Sequence, residues 1–289
     1  MNLVEKQQQN HLKIAKLKDL PTLPEASCKI ITAVNDPDIA IEELTQVISA
    51  SSALTGRLLG LANSAYFGRA GTIEDLRLAI IQVLGLNLVK GLALSILLSN
   101  ELDVSACPRF DSEKFWSEGL LTAILAQRFG QLLNNESISP SAAYTSGLLL
   151  NIGLLATVYI FPKELNQVFV NVEENEVSLT EEIVNIIGES HFKIGSLLLK
   201  RWRLPEMFSS VLLSFENEVS QAQSEITPMV NLLQFSSDMA KAIFEEDEPA
   251  LPTSLKKLDI DTAKVKKIVA TMTEKRDSIR DMAISMTGK

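Results

Sequence analysis

The chain has 289 residues, 46% of them hydrophobic and 22% charged, enough to bury a large core without disulfides or metals to hold it together. A formal net charge of −9 argues against a general binder of nucleic-acid backbones, because such proteins carry a positive footprint. With 2 His (His11 and His191) and 2 Cys (Cys28 and Cys107), a multi-histidine metal cluster or a thiolate zinc site is out of reach. The 36 Asp and Glu leave a carboxylate-only Mg²⁺ or Ca²⁺ site open by count, although no Asp-x-Asp-x-Asp-Gly loop is present.

Taken in order, the residues from Met1 to Lys18 form a polar, Gln-rich segment with no apolar core of an export signal. Asn35-Asp36-Pro37 predicts the start of a helix whose apolar face is Ile41, Leu44, Val47 and Ile48. Ser51 or Ser52 is placed to cap the next, through Leu54, Leu58 and Leu61. Thr72-Ile-Glu-Asp75 has the spacing of a capping box, and Gly85 the freedom to end the helix that follows. Asn87 then predicts a cap for a helix apolar nearly all round from Leu88 to Leu98. Glu101 to Asp111, with Pro108, breaks the pattern and marks the expected lobe boundary.

Helical spacing resumes with one long helix over Glu113 to Leu133, and Ser139-Pro140 and Pro162 restart others. Ser178-Leu-Thr-Glu181 is a second capping-box spacing, and Leu204-Pro205 a tight junction. A helix from Thr227-Pro228 to about Glu245 leads into an acidic stretch, predicted as an exposed loop, and then one terminal helix from Thr262 to Ser285. The apolar runs Leu88 to Leu98 and Gly147 to Phe161 fall short of the roughly 18 to 20 residues of a bilayer-spanning helix and read as buried core. The predicted class is all-α. The expected divisions are 1–18, a helical lobe over 19–106, a second helical lobe over 107–245, and an acidic loop with a C-terminal helical extension over 246–289.

Gly147-Leu148-Leu149-Leu150-Asn151-Ile152-Gly153 resembles the Gly-Leu-Leu-His-Asp-Ile-Gly signature of the HD phosphohydrolase superfamily, with Leu150 and Asn151 where that family has His and Asp. Leu20-Pro-Thr-Leu-Pro24 and the segment from Leu58 through Ala62-Asn-Ser64 to Tyr66-Phe-Gly68, followed by Ala79 and Leu84-Gly85, are similar to passages of one branch, the HDOD domain. With Phe115-Trp116 and His191 to Pro205, the likeness runs from about Leu17 to Ala242. The resemblance implies an HD-like helical bundle in a bacterial signalling protein. Position by position, the family's first metal-binding His falls near Glu118, its His-Asp pair on Leu150-Asn151 and a later His-His region near Ser214-Phe215. His191 matches a family His, and Asp238 aligns loosely with its last Asp. An isobutyl group has no lone pair to give, and a neutral amide is a poor metal ligand.

The candidate pocket residues are therefore Glu118, Asn151, His191 and Asp238, with no metal and no cofactor expected. Two of them have plainer readings: His191 as a hydrogen-bonded residue of a helix junction, and Glu118 as a residue of a wet helix face or the partner of a nearby cation. Asn63 and Ser64 are candidates for a partner surface, or else satisfy backbone groups where their helix ends. The cationic stretch Lys256 to Arg280 fits a solvated helix face and a surface for an acidic partner equally well, and it has no interleaved aromatics to stack on the bases of a nucleic acid. Cys28 reads as a small core residue and Cys107 as a loop thiol. The resulting expectation is a non-catalytic regulatory module of the cytoplasm that binds a signalling protein or a nucleotide and neither a membrane nor nucleic acid. The alternative is a metal-dependent phosphohydrolase with a rearranged site drawn from Glu118, His191, Asp238 and further carboxylates.

Overall fold

The predicted helical periodicity becomes helix almost throughout the computed structural model, which describes residues 22–36, 38–67, 71–133, 138–216 and 225–287. No strand occurs among the described residues, so the class is all-α. The polar segment 1–18, Leu20-Pro21, Pro37 and Gly68 lie outside them.

The helices are α1 (Glu25–Asn35), α2 (Ile41–Ser49), α3 (Ser52–Ala62), a short α4 (Leu76–Ala79) and α5 (Leu86–Asn100). They continue as α6 (Ser112–Gly130), α7 (Pro140–Leu149), α8 (Ile152–Ile160), α9 (Pro162–Asn175), α10 (Leu179–Ile187), α11 (His191–Arg201) and α12 (Glu206–Glu216). The last are α13 (Thr227–Glu245), α14 (Thr262–Glu274) and α15 (Arg276–Thr287).

Local chemistry explains several boundaries. Ser51 caps α3 by accepting a hydrogen bond from the Leu54 N–H at 3.3 Å. Gly85, at φ 77°, ends a π-helical turn over Ile80–Leu84 and donates its N–H to the Ile80 carbonyl at 2.8 Å. The capping box expected at Thr72 does not form; Asp75 is itself the cap, accepting from the Leu78 N–H at 2.8 Å. The reason is tertiary. Asn63, at the end of α3, holds both backbone groups of Ile73 and keeps the strand-like entry to α4 extended.

Other expectations shift for similar reasons. Helix α2 begins at Ile41 behind Ala40, not at Pro37. Asn87 is the second residue of α5, within the helix rather than ahead of it. Ser178 occupies the cap position of α10 with extended backbone, but its side chain makes no capping bond. The single terminal helix is two, α14 and α15, broken at Lys275, whose ammonium donates to the Tyr66 carbonyl at 3.2 Å. The two thiols exchange roles: Cys28 is exposed on α1, and Cys107, in the irregular 101–111 segment, is buried.

By contacts the chain forms two compact units that alternate along it: Met1–Pro24, Ser99–Asp111 and Leu150–Ser220 in the first, Glu25–Leu98, Ser112–Leu149 and Gln221–Lys289 in the second. In the first, α8 packs on α11, α11 on α12, and α9 on α10, around Phe161, Leu165, Ile194, Leu198 and Trp202. The 101–111 segment is tied to α9 there, Arg109 pairing with Glu173 at 2.9 Å and donating its backbone N–H to Asn166 at 3.2 Å. In the second unit α6 is central and packs on α7, α13 and α15, with Phe129 against Phe235 at a ring separation of 5.0 Å.

Counted from Pro140 to Ile160, the apolar stretch is 21 residues and does reach the length and apolarity of a membrane span. Its small polar residues (Ser141, Thr145 and Ser146) had shortened the run as read from the sequence. In the fold, 83% of its most apolar window is buried, and it breaks at Leu150-Asn151.

Candidate functional site

The signature segment Gly147 to Gly153 sits where the chain passes from one unit to the other, between Leu149 and Leu150. Its two glycines do the same job in different places. Gly147 seats α7 on α6 so closely that a methyl group there would lie 2.8 Å from the Ala123 Cα and 3.1 Å from its nitrogen. Gly153 seats α8 on α11, where a methyl group would collide with the His191 carbonyl oxygen and lie 2.6 Å from the Gly195 nitrogen. Gly195 returns the fit, its own missing methyl falling 3.0 Å from the Gly153 Cα. A glycine inside a helix costs about 0.5–1 kcal/mol relative to alanine, so these positions repay it by letting backbones touch.

Between the glycines stand Leu150 and Asn151, the two positions at which the segment departs from the signature it resembles. Leu150 is 2% exposed and part of the core. Asn151 is half-buried and holds the bend at φ −101°, ψ 11°, before α8. His191 is buried at the first turn of α11, behind Ser190, which caps the helix by accepting from the Lys193 N–H at 3.1 Å. Its ring stacks beside Phe192 at 4.1 Å, which in turn meets Phe215 at 5.3 Å. The Gly153 crossing thus brings Asn151 and His191 to the same end of the α8–α11 contact in the first unit.

Glu118 and Asp238 belong to the second unit, on α6 and α13. Burial raises the Glu118 carboxyl above the usual range, opposed by Lys114, 3.7 Å away, and by Lys241. Asp238 has both oxygens engaged: one accepts from the Gln234 amide at 2.8 Å and the other from the Ser254 hydroxyl at 2.7 Å. That carboxylate ties the 3₁₀ turn Thr253–Lys257 to α13. Asn63 is likewise a structural clasp: its oxygen accepts from the Ile73 N–H at 2.8 Å, and its amide donates to the carbonyls of Leu59 at 2.8 Å and Ile73 at 2.9 Å. Ser64 beside it is half-buried.

Among the described residues, no group of three or more His, Cys, Asp or Glu side chains is placed to hold a metal ion. A divalent ion needs several hard or imidazole donors converging on one point, and the donor set here does not fit one. The sequence reading singles out this segment but not its glycine crossings. The available signal was the pair of glycines inside otherwise leucine-rich helices, which calls for a packing reason.

The HDOD domain model matches residues 20–217. An uncharacterized protein of Treponema pallidum (strain Nichols) is 25% identical over 224 residues, 77% of this chain and 42% of its own length. A structure from Shewanella amazonensis SB2B, named as a phosphohydrolase, aligns with a TM-score of 0.76 at 21% identity over 94% of this chain and 97% of its own. An HDOD domain protein of unknown function from Geobacter sulfurreducens aligns at 0.75 and 22% identity over 99% of both chains. A protein of Marinobacter aquaeolei VT8, named for signal transduction, aligns at 0.76 and 22% over 93% of this chain and 60% of its own. The chain thus spans less than two thirds of the curated relative and of the Marinobacter protein. At these identities the likeness to the solved structures is one of fold.

Proposed function

The chain belongs to the HDOD domain family, and on that premise we propose that it is a non-catalytic regulatory module of bacterial signalling that binds a partner protein or a nucleotide in the cytoplasm. The observation that carries the reading is the division of labour within Gly147 to Gly153. The glycines let the helices cross closely, whereas the two positions between them that would bind metal hold a buried leucine and an asparagine at the bend before α8. Bringing a divalent cation beside an isobutyl wall removes its hydration without replacing it, and such desolvation of charge is prohibitive. The framework of a hydrolase then serves as a scaffold for recognition.

The competing reading, a phosphohydrolase with a rearranged site, draws on Glu118, His191 and Asp238. Glu118 is the observation in its favour, since a carboxyl raised by burial is suited to donate a proton. Against it, both Asp238 oxygens already serve the fold, and metal hydrolysis needs ligands free to leave a coordination position open. Elemental analysis of the purified protein, with a turnover screen of nucleotides and cyclic dinucleotides, tests the proposal. Sub-stoichiometric metal and no turnover are expected. Stoichiometric metal together with turnover that is lost in His191→Ala would overturn it.

A further inference from the structure

The second unit contains a cleft of about 480 Å³ that includes none of the candidate residues discussed so far. Tyr66 and Phe67 form one wall, Gly85 and Leu86 another, and Arg128 and Lys275 contribute to the rest. We propose that this cleft binds a phosphorylated ligand carrying a planar ring, of the size of a nucleoside monophosphate.

Charge is the first argument. The chain carries −9 overall, yet among the described residues this cleft is lined by two cations and no carboxylate. The acidic neighbours of Lys275, Glu274 and Asp277, instead line a separate depression with Asp247 and Arg276. The helix break at Lys275 sorts the charges in this way, because it ends one helical register and starts another.

The two cations are differently prepared. Lys275 is held in place, donating to the Tyr66 carbonyl at 3.2 Å with its ammonium 4.7 Å from the Tyr66 ring centre. Arg128 is half-buried and makes no ion pair or hydrogen bond with a described residue, so its fork of donors is uncommitted. A fixed ammonium and an open guanidinium suit a phosphate, which accepts from both at once. The wall at Gly85 and Leu86 adds the first turn of α5, whose N–H groups have no acceptor within the helix.

The remainder of the lining suits a ring. Tyr66 and Phe67 pack edge to face at 5.0 Å, and Leu84, Leu88 and Met282 complete an apolar surface. The volume falls within the range of about 300–1,000 Å³ typical of small-molecule pockets.

This inference deepens the binding-module reading and rests on it, but the two are tested by different measurements. Calorimetric titration of the full chain with AMP, GMP, adenosine and inorganic phosphate at low salt reads the cleft. Saturable binding of a monophosphate is expected, at least tenfold weaker in Arg128→Gln at unchanged melting temperature, and weaker again with added salt. Lys275→Gln is the second variant and is expected to weaken binding in the same direction. Absence of binding by both monophosphates, or equal affinity in Arg128→Gln, would overturn the site. Adenosine binding as tightly as AMP would overturn the phosphate assignment, and inorganic phosphate binding as tightly as AMP would overturn the ring. None of these failures would produce metal or turnover, so the reading of a non-catalytic module stands or falls separately.

Discussion

The two ends of the signature segment solve the same problem to different tolerances. At Gly147, in the second unit, the opposing residue is Ala123, and the tightest approach to a missing methyl is its Cα at 2.8 Å. At Gly153, in the first, the opposing residue is another glycine, and what blocks a methyl is a carbonyl oxygen and an amide nitrogen of one helix turn. Both neighbours are helix backbone, peptide atoms included, so the difference is one of degree: a small retreat of α6 relieves the contact at Gly147, whereas the His191 carbonyl overlaps a methyl at Gly153 outright. The difference teaches that the Gly-to-Gly frame is a packing device in its own right, whatever side chains stand between its two ends.

Four substitutions would break or sharpen that comparison. Gly153→Ala should be the most damaging, costing more than about 4 kcal/mol and leaving the first unit unable to close on α11; urea denaturation that matches the parent chain would refute the backbone contact. Gly147→Ala should cost less, about 2–4 kcal/mol, because the neighbour at α6 can retreat slightly. If the two variants were equally stable, the distinction drawn between the crossings would be lost. Asn63→Ala tests a site where side-chain bonds replace backbone contact. Removing partners from the Ile73 N–H and carbonyl should cost about 1–3 kcal/mol, and faster amide exchange at Ile73 would locate the damage there.

The smallest effect has the opposite sign. Glu118 has its pKa raised in the folded state, chiefly by burial, so the folded chain holds the proton more tightly than the unfolded one. Its contribution is most favourable below the ordinary glutamate range and is lost as pH rises through the raised value. Glu118→Gln should therefore melt slightly higher than the parent at pH 7, with the gap narrowing as the pH is lowered. A gap that widened on acidification would mean the carboxylate is stabilised by Lys114 and Lys241 instead.

Much of the fold was legible because helix boundaries obey local rules. Pro140, Pro162 and Thr227-Pro228 start helices where proline's missing N–H is harmless, and Gly85 stops one where a positive φ is needed. The failures have a common cause. Thr72 to Asp75 had the right spacing for a capping box, but Asn63, ten residues before Ile73, claimed the backbone first. Cys28 reads from the sequence as a small core residue and Cys107 as a loop thiol, whereas burial depends on which face of α1 turns inward and on how the 101–111 segment packs. Asn63 does satisfy backbone groups at its helix end, one of its two readings from sequence, but its bonds to Ile73, like that of Asp238 to Ser254, join separate segments and no spacing within a single helix predicts them.

The sequence alone determined the helical class, the family frame and the scarcity of histidine and cysteine, since each is written in periodicity, in short motifs, or in a count of side chains. Tertiary structure decided which glycines carry backbone contacts, and how Tyr66, Leu86, Arg128 and Lys275, spread over some two hundred residues, came to line one cleft. Such convergence depends on helix crossings and on the break at Lys275, and these are fixed only when distant surfaces compete for the same space.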